Sequence, residues 1–405
     1  VGNTTFTAAS PTVDSIESVV GGEAQGDGGS FKVTGTVTIN NGHLDINTAG
    51  GNIEVTGNIA SAGDDESLTL DDGTGTGTVT LGGSATSGSI TIVGNSGVNL
   101  TSDLVSTNTA SGAINVTGDV TLKGNVTVDA DANNTTVTFN GAVDSDTTDT
   151  LRNLTINTGA GLVKMDGALG AGIKLGTISI NAATTGAGTI EVANIGDGDA
   201  VGANSTVKLG NTNTALLTLD GTIYKSTGSQ QYKAKAGNYI NITNGSGAAF
   251  TTTNTDVTFE TADVVLSDGA NLSISTGNEA GDITFGASIH GTAEGTVTDI
   301  TSLASGTGTV TLNAIDGSAT DIEDITITGP TVLKGTISTN SNGAVSITGA
   351  VTVDEDITID TQTGGGANIT IDGTLNASAT TDDLDIKSGS GTVQVTGNIG
   401  TSTAF

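Results

Sequence analysis

The sequence predicts an all-β fold, a right-handed parallel β-helix (β-solenoid), and three observations carry that expectation. First, short segments alternating apolar with polar residues recur every ~10 to 12 residues, divided by Gly, Asn, Asp or Ser. Second, whole phrases return unchanged. Gly75-Thr-Gly-Thr-Val-Thr-Leu81 recurs from Gly306 to Leu312, and Val55-Thr-Gly-Asn-Ile59 recurs from Val395 to Ile399. Third, the 405 residues include 62 Gly but only 2 Pro, no Trp and 2% aromatics. So few large rings suit a narrow core better than the wide core of a sandwich or barrel.

Taken in order, residues 1–30 are the least repetitive and predict a cap or connector. Ser10-Pro11 with Glu17 has the composition of a helix start, while the β-branched residues around it suit a strand. From Phe31 the grammar becomes regular, with Ile53-Glu-Val55, Val79-Thr-Leu81, Ile114-Asn-Val116, Leu154-Thr-Ile156 and Ile190-Glu-Val192 among its strands. A stretch near 193–250 is looser. The pattern then resumes through Val257-Thr-Phe259, Ile283-Thr-Phe285, Val310-Thr-Leu312, Ile357-Thr-Ile359 and Val393-Gln-Val395. Residues 31–400 therefore read as solenoid and 401–405 as a tail.

Pairs of strands add to ~20 to 25 residues, the length of one solenoid coil, so about 16 coils are expected. A lone coil cannot bury its apolar side, whereas stacked coils can, with Val, Ile and Leu inward and Thr, Ser and Asn outward. Parallel crossovers favour the right hand. The competing architecture is a tandem array of antiparallel sandwich domains, which would carry buried aromatic anchors and more Pro.

Charge narrows the partners. Eleven Lys+Arg stand against 43 Asp+Glu, a formal charge of -32. That excludes nucleic acid and anionic membrane surfaces, which need clustered cations. No apolar run approaches the ~18 residues that cross a bilayer, so no transmembrane segment is expected. With no Cys there are no disulfides, thiolate metal sites or thiol nucleophiles. The chain starts at Val1 and has one Met, Met165, as in a processed or excised segment, which suits secretion.

Local chemistry concentrates in the looser stretch. Tyr224, Tyr232 and Tyr239 are the only tyrosines, and Lys225, Lys233 and Lys235 lie among them. Tyr224, Tyr232, Tyr239, Lys233 and Lys235 thus form a candidate contact patch for a glycan or a neighbouring subunit. The alternative is a local widening of the core, filled by the rings. Carboxylates at alternate positions in Gly-rich turns make Asp197, Asp199, Asp354 and Asp356 candidate Ca²⁺ ligands, against their being solvated acidic turns. No cofactor is expected beyond such a structural Ca²⁺.

His43 and His290 have no Ser/Asp partner spacing around them. Asn254-Thr-Asp256 and His290-Gly291 resemble two motifs of the pectin-cleaving β-helical hydrolases. The paired Asp and the Arg-Ile-Lys of that family are missing, since Arg152 is the only Arg. No enzymatic activity is expected. Thr-x-Thr phrases, such as Thr307-Gly-Thr309, do not keep the constant interval that an ice-binding face requires.

The phrases Gly112-Ala-Ile-Asn-Val-Thr-Gly118, Val137-Thr-Phe-Asn-Gly-Ala-Val143 and Leu154-Thr-Ile-Asn-Thr-Gly159 resemble the β-strand repeats of bacterial surface proteins, notably filamentous-haemagglutinin-type exoproteins and related adhesins. The resemblance implies an extracellular, cell-surface β-helical rod used in adhesion or surface structure. The expectation is a secreted rod, either a filament subunit or an adhesin stalk, assembling end to end as a homopolymer. Surface glycans or other cells are the further expected partners. The alternative expectation is a carbohydrate-binding module or a degenerate polysaccharide-active β-helix.

Overall fold

The computed structural model describes residues 30–405 apart from 40, 41, 64, 109–111, 200, 293–297, 318–321 and 341. It also describes the backbone of Thr4–Thr7 and Thr12–Val13. Those two strands pair in parallel with Phe31–Thr34 and Val37–Ile39. The rest of the expected cap, with its helix start at Ser10, lies outside the described residues. The chain divides into two compact units, Val1–Ser205 with Leu209–Thr214, and Thr206–Lys208 with Ala215–Phe405. The division falls inside the looser 193–250 stretch.

In the first unit most coils give one short strand to each of three parallel faces, and beyond Val143–Ser145 the first face continues as the isolated bridges of Leu169 and Ile195. Face A holds Ile53–Val55, Val79–Leu81, Val98–Leu100 and Val120–Leu122. Face B includes Ile59–Ser61, Ala85–Ser87, Val126–Asp129 and Leu154–Asn157. Face C includes Ser67–Asp71, Ser89–Val93, Ile114–Thr117 and Val137–Phe139.

The second unit repeats the plan. Its face A includes Ala248–Thr251, Leu272–Ser275, Val345–Thr348 and Ile369–Asp372. Gln230–Lys233, Val257–Glu260, Ile283–Phe285 and Val310–Leu312 lie in face B, and Tyr239–Ile242, Asp263–Leu266 and Ile289–Gly291 in face C. The fold is therefore a parallel β-solenoid.

Period-two alternation decides what is buried. In Val79-Thr80-Leu81 and Val310-Thr311-Leu312 the outer two residues are buried and the Thr is half-buried. The same phrase serves face A in the first unit and face B in the second, so it specifies a strand and not a face. Its glycines shape the preceding corner. Gly306 has φ 60°, and a Cβ on Gly308 would sit 2.2 Å from the Gly281 carbonyl oxygen. Stacked coils approach too closely there for any side chain.

The described residues form about 14 turns, against the 16 the average spacing suggests. Corner loops vary: paired side chains one coil apart are separated by 19 residues at Thr80 and Asn99, and by 30 at Lys174 and Asn204.

Candidate functional site

The polar side chains that the sequence offers for chemistry lie mainly at the corners, and stacking one coil on the next leaves backbone donors there that need acceptors. Asn or Asp often occupies the position before the first inward residue of a strand. Its Oδ1 accepts the backbone N–H at the same place one coil later. Asn153 N–H donates to Asn125 (3.0 Å), and Thr177 N–H donates to Asn153 (2.9 Å). On another corner Asp299 N–H donates to Asn271 (2.8 Å), Asp324 N–H to Asp299 (3.0 Å), and Ala344 N–H to Asp324 (2.8 Å).

Other corners close differently. A buried Thr or Ser turns inward and donates its hydroxyl to a carbonyl further along the loop, as Thr158 does to Gly161 (3.1 Å) and Ser305 to Gly308 (2.8 Å). These ladders were missed as a site class in the sequence. Their signal is present: Asn153-Leu-Thr-Ile156, Asp282-Ile-Thr-Phe285, Asp324-Ile-Thr-Ile327 and Asn368-Ile-Thr-Ile371 share one pattern.

The expected calcium ligands take part in such local bonding. Asp199 N–H donates to Asp197 Oδ1 (2.8 Å), and Asp383 N–H to Asp356 Oδ1 (2.9 Å). Asp354 accepts the Ser378 hydroxyl (2.5 Å) and pairs with Lys334 Nζ (3.0 Å). The Ser378 bond, then Lys334, hold its carboxyl below the usual carboxylate range. Among the described residues no three His, Asp or Glu side chains are gathered as a metal would require.

Two acids are shifted the other way. Asp72 is buried and accepts both the backbone N–H (3.0 Å to each oxygen) and Nδ2 (3.1 Å) of Asn95, yet burial pushes its pKa up. Burial likewise raises Asp144, which accepts the N–H groups of Gly172 and Ile173.

The expected Tyr/Lys patch is split by the fold, and this corrects the sequence reading. Tyr224 and Tyr232 are fully buried, so neither can meet a ligand at the surface. Tyr224 stacks on Phe250 (4.8 Å between centroids), Tyr232 on Phe259 (5.0 Å), and Phe259 on Phe285 (4.9 Å). The rings sit at inward positions, where they fill the core as the local-widening alternative described.

Their polar tips are satisfied inside. Gly221 N–H donates to the Tyr224 hydroxyl (2.9 Å), and the Tyr232 hydroxyl donates to Gln230 Oε1 (2.9 Å). Gln230 Nε2 donates to the Tyr224 carbonyl (2.9 Å) and the Thr251 carbonyl (3.0 Å). Burial pushes both phenols up.

Lys233, on face B, pairs with Glu260 (2.5 Å) in the neighbouring coil, and Lys235 is exposed in the loop beyond it. Tyr239 stands on face C, 46% exposed, with its ring edge-to-face with His290 at 6.0 Å. Of the five residues expected in one patch, Tyr239 is the tyrosine that reaches solvent.

The hydrolase-like residues are also dispersed. Asp256 precedes a face B strand and accepts Asp282 N–H (2.9 Å), whereas His290 lies within a face C strand. Asn254 Oδ1 accepts the N–H groups of Asn278 (3.2 Å) and Glu279 (3.1 Å). His43 Nδ1 lies 2.6 Å from Ser67 Oγ, while the adjacent Glu66 accepts Gly63 N–H. Arg152 is held by Asp146 (2.8 Å). No helix of the described residues is long and apolar enough to cross a membrane. No protein-family model, curated protein or solved structure matches the chain.

Proposed function

We propose that the chain is a non-catalytic structural element, exported to the bacterial cell surface, where it forms part of an extracellular filament or the stalk of an adhesin. The observation that carries this reading is where the polar chemistry goes. Asn, Asp, Thr and Ser at the corners bond from coil to coil, as in Asn271 to Asp299 to Asp324, and the apolar residues fill the interior between them. Such a molecule invests its side chains in length and stiffness. Gold-labelled antibody against the chain, applied to intact and permeabilised cells, tests the reading. Label on surface fibres or stalks of intact cells supports it, and label confined to permeabilised cells contradicts it.

A second reading rests on Tyr239. Its half-exposed ring beside His290 is the aromatic platform a surface glycan would stack on, which fits the carbohydrate-binding alternative. Glycan-array binding that disappears in Tyr239→Ala but survives in Lys235→Ala would favour it over the purely structural role.

A further inference from the structure

We propose that the outward side of face C around Tyr239, Val265 and His290 binds a glycan carrying free amino groups, with a sugar ring on the aromatic pair and an ammonium at Asp263. The proposal rests on the carbohydrate-binding reading of Tyr239 and names the chemical class of the glycan.

All of these residues belong to the second unit. Tyr239 is the register partner of Asp263 in the next coil. In the adjacent outward row Asn241, Val265, His290 and Asp316 follow one another from coil to coil. Neighbouring strands lie ~4.8 Å apart, so the strands of Tyr239 and His290, two steps apart, are separated by roughly 9.6 Å. Their ring centroids are 6.0 Å apart. The two side chains therefore lean towards each other over the strand between them, which carries Val265. By period-two alternation Val265 points outward, yet it is only 9% exposed. Two rings over an aliphatic floor make a shallow apolar seat.

Such a seat suits the apolar side of a pyranose ring, provided that polar groups converge on its rim. His290 Nδ1 lies 3.1 Å from the Gly291 carbonyl oxygen. A carbonyl only accepts, so Nδ1 carries the proton and Nε2 is an acceptor for a sugar hydroxyl. The amide of Asn241 stands beside Val265 in the outward row. Asp263 gives Oδ1 to the Ser288 N–H (3.0 Å), which leaves Oδ2 for a ligand.

Charge selects the class of sugar. The successive face C strands Tyr239–Ile242, Asp263–Leu266, Ile289–Gly291 and Ile315–Asp316 carry Asp263 and Asp316 but neither Lys nor Arg. They belong to a chain of formal charge -32. An ammonium at this place gains both the carboxylate and the electron-rich face of the Tyr239 ring. A uronate or sialylated sugar would meet like charge, and a neutral sugar forgoes the ionic contact.

Isothermal titration calorimetry of the 405-residue chain, at physiological salt and with the amines protonated, tests the site. The probes are glucosamine oligomers, their N-acetylated counterparts and galacturonate oligomers. Glucosamine oligomers should bind about tenfold more tightly than the acetylated ones, and galacturonates should not bind. Asp263→Asn keeps the oxygen that accepts Ser288 N–H and removes the charge, so it should abolish the preference for amine over acetamide. Tyr239→Ala should weaken glucosamine binding by about tenfold, while Lys235→Ala should leave it intact. Far-UV circular dichroism should be unchanged in all three variants.

Equal glucosamine binding by the parent, Tyr239→Ala and Asp263→Asn would reveal attraction to the acidic surface as a whole and overturn the site. Tyr239-dependent binding that favours acetylated or galacturonate oligomers would overturn the amine class and leave the carbohydrate reading standing. Oligolysine bound more tightly than glucosamine oligomers, with the same dependence on Tyr239 and Asp263, would assign the site to a basic peptide instead. Absence of Tyr239-dependent binding to any of the sugars would remove both the site and the carbohydrate reading.

Discussion

The backbone N–H of Asp282 donates to Oδ1 of Asp256, one coil earlier, at 2.9 Å. Asp282 passes the arrangement on, accepting Thr309 N–H at 2.7 Å. Each carboxylate meets a donor that the strand ladder leaves over at the corner, and a carboxylate makes a stronger acceptor than a neutral oxygen. Asp256 and Asp282 thus act as coil-to-coil fasteners.

Asp282→Ala should therefore lower stability by about 1–2 kcal/mol, the usual scale for leaving such a donor without its partner. Asp282→Asn, which keeps the oxygen, should lose less. Urea unfolding followed by circular dichroism measures both. Equal loss in the two variants would remove the hydrogen bond from the explanation.

Strand positions differ by direction. Val310→Asp buries a charge in the core and should prevent folding or lower the melting temperature sharply, whereas Thr311→Ser, on the outward side, should change it little. Thermal melts of the two variants decide the matter. Similar tolerance at both positions would contradict the inward and outward assignment.

The tyrosines give an optical test. Burial raises the phenols of Tyr224 and Tyr232, so their ionisation should coincide with alkaline unfolding, the phenolate absorbance rising as circular dichroism is lost. Tyr232→Phe should cost about 1–2 kcal/mol, because Gln230 Oε1 loses its buried donor. Full ionisation in the folded state would show that these rings are at the surface.

How much of this was legible follows from the range of each signal. Alternation and turn composition act within a few residues, so the strands, the inward residues and the parallel solenoid could be read directly. The ladders join residues separated by a whole coil, such as Asn125 and Asn153, and only the register brings them together. Tyr224 and Tyr232 look like a surface cluster with Lys225 and Lys233 because all four are close in sequence. The period-two alternation around them, in which the polar Gln230 takes an inward position in phase with Tyr232, turns the rings inward and the lysines outward. Loop length is set corner by corner, which is why an average spacing does not fix the number of coils.

Acid should weaken one surface link in a defined direction. The Ser378 hydroxyl and Lys334 hold Asp354 below the usual carboxylate range, so its contribution is present above that range and is lost as the pH falls through the lowered folded value. Asp354→Asn should be slightly less stable than the parent at neutral pH, by less than about 1 kcal/mol for so exposed a pair. The difference should vanish in acid. Melting curves of the two proteins across the acid range check this, and a difference independent of pH would refute the assignment.

The stacking of coils in register underlies the whole account, and spin labelling tests it most directly. Thr258, Thr284 and Thr311 are outward register partners on face B of successive coils. Because the chain has no Cys, a triple Thr→Cys variant carries labels at those three positions alone. Adjacent parallel strands lie ~4.8 Å apart, so the three nitroxides should couple strongly and give a broadened, exchange-affected spectrum. Each single-label variant should give an isolated-spin spectrum. A triple-label spectrum equal to the sum of the three singles would contradict the stacked parallel solenoid.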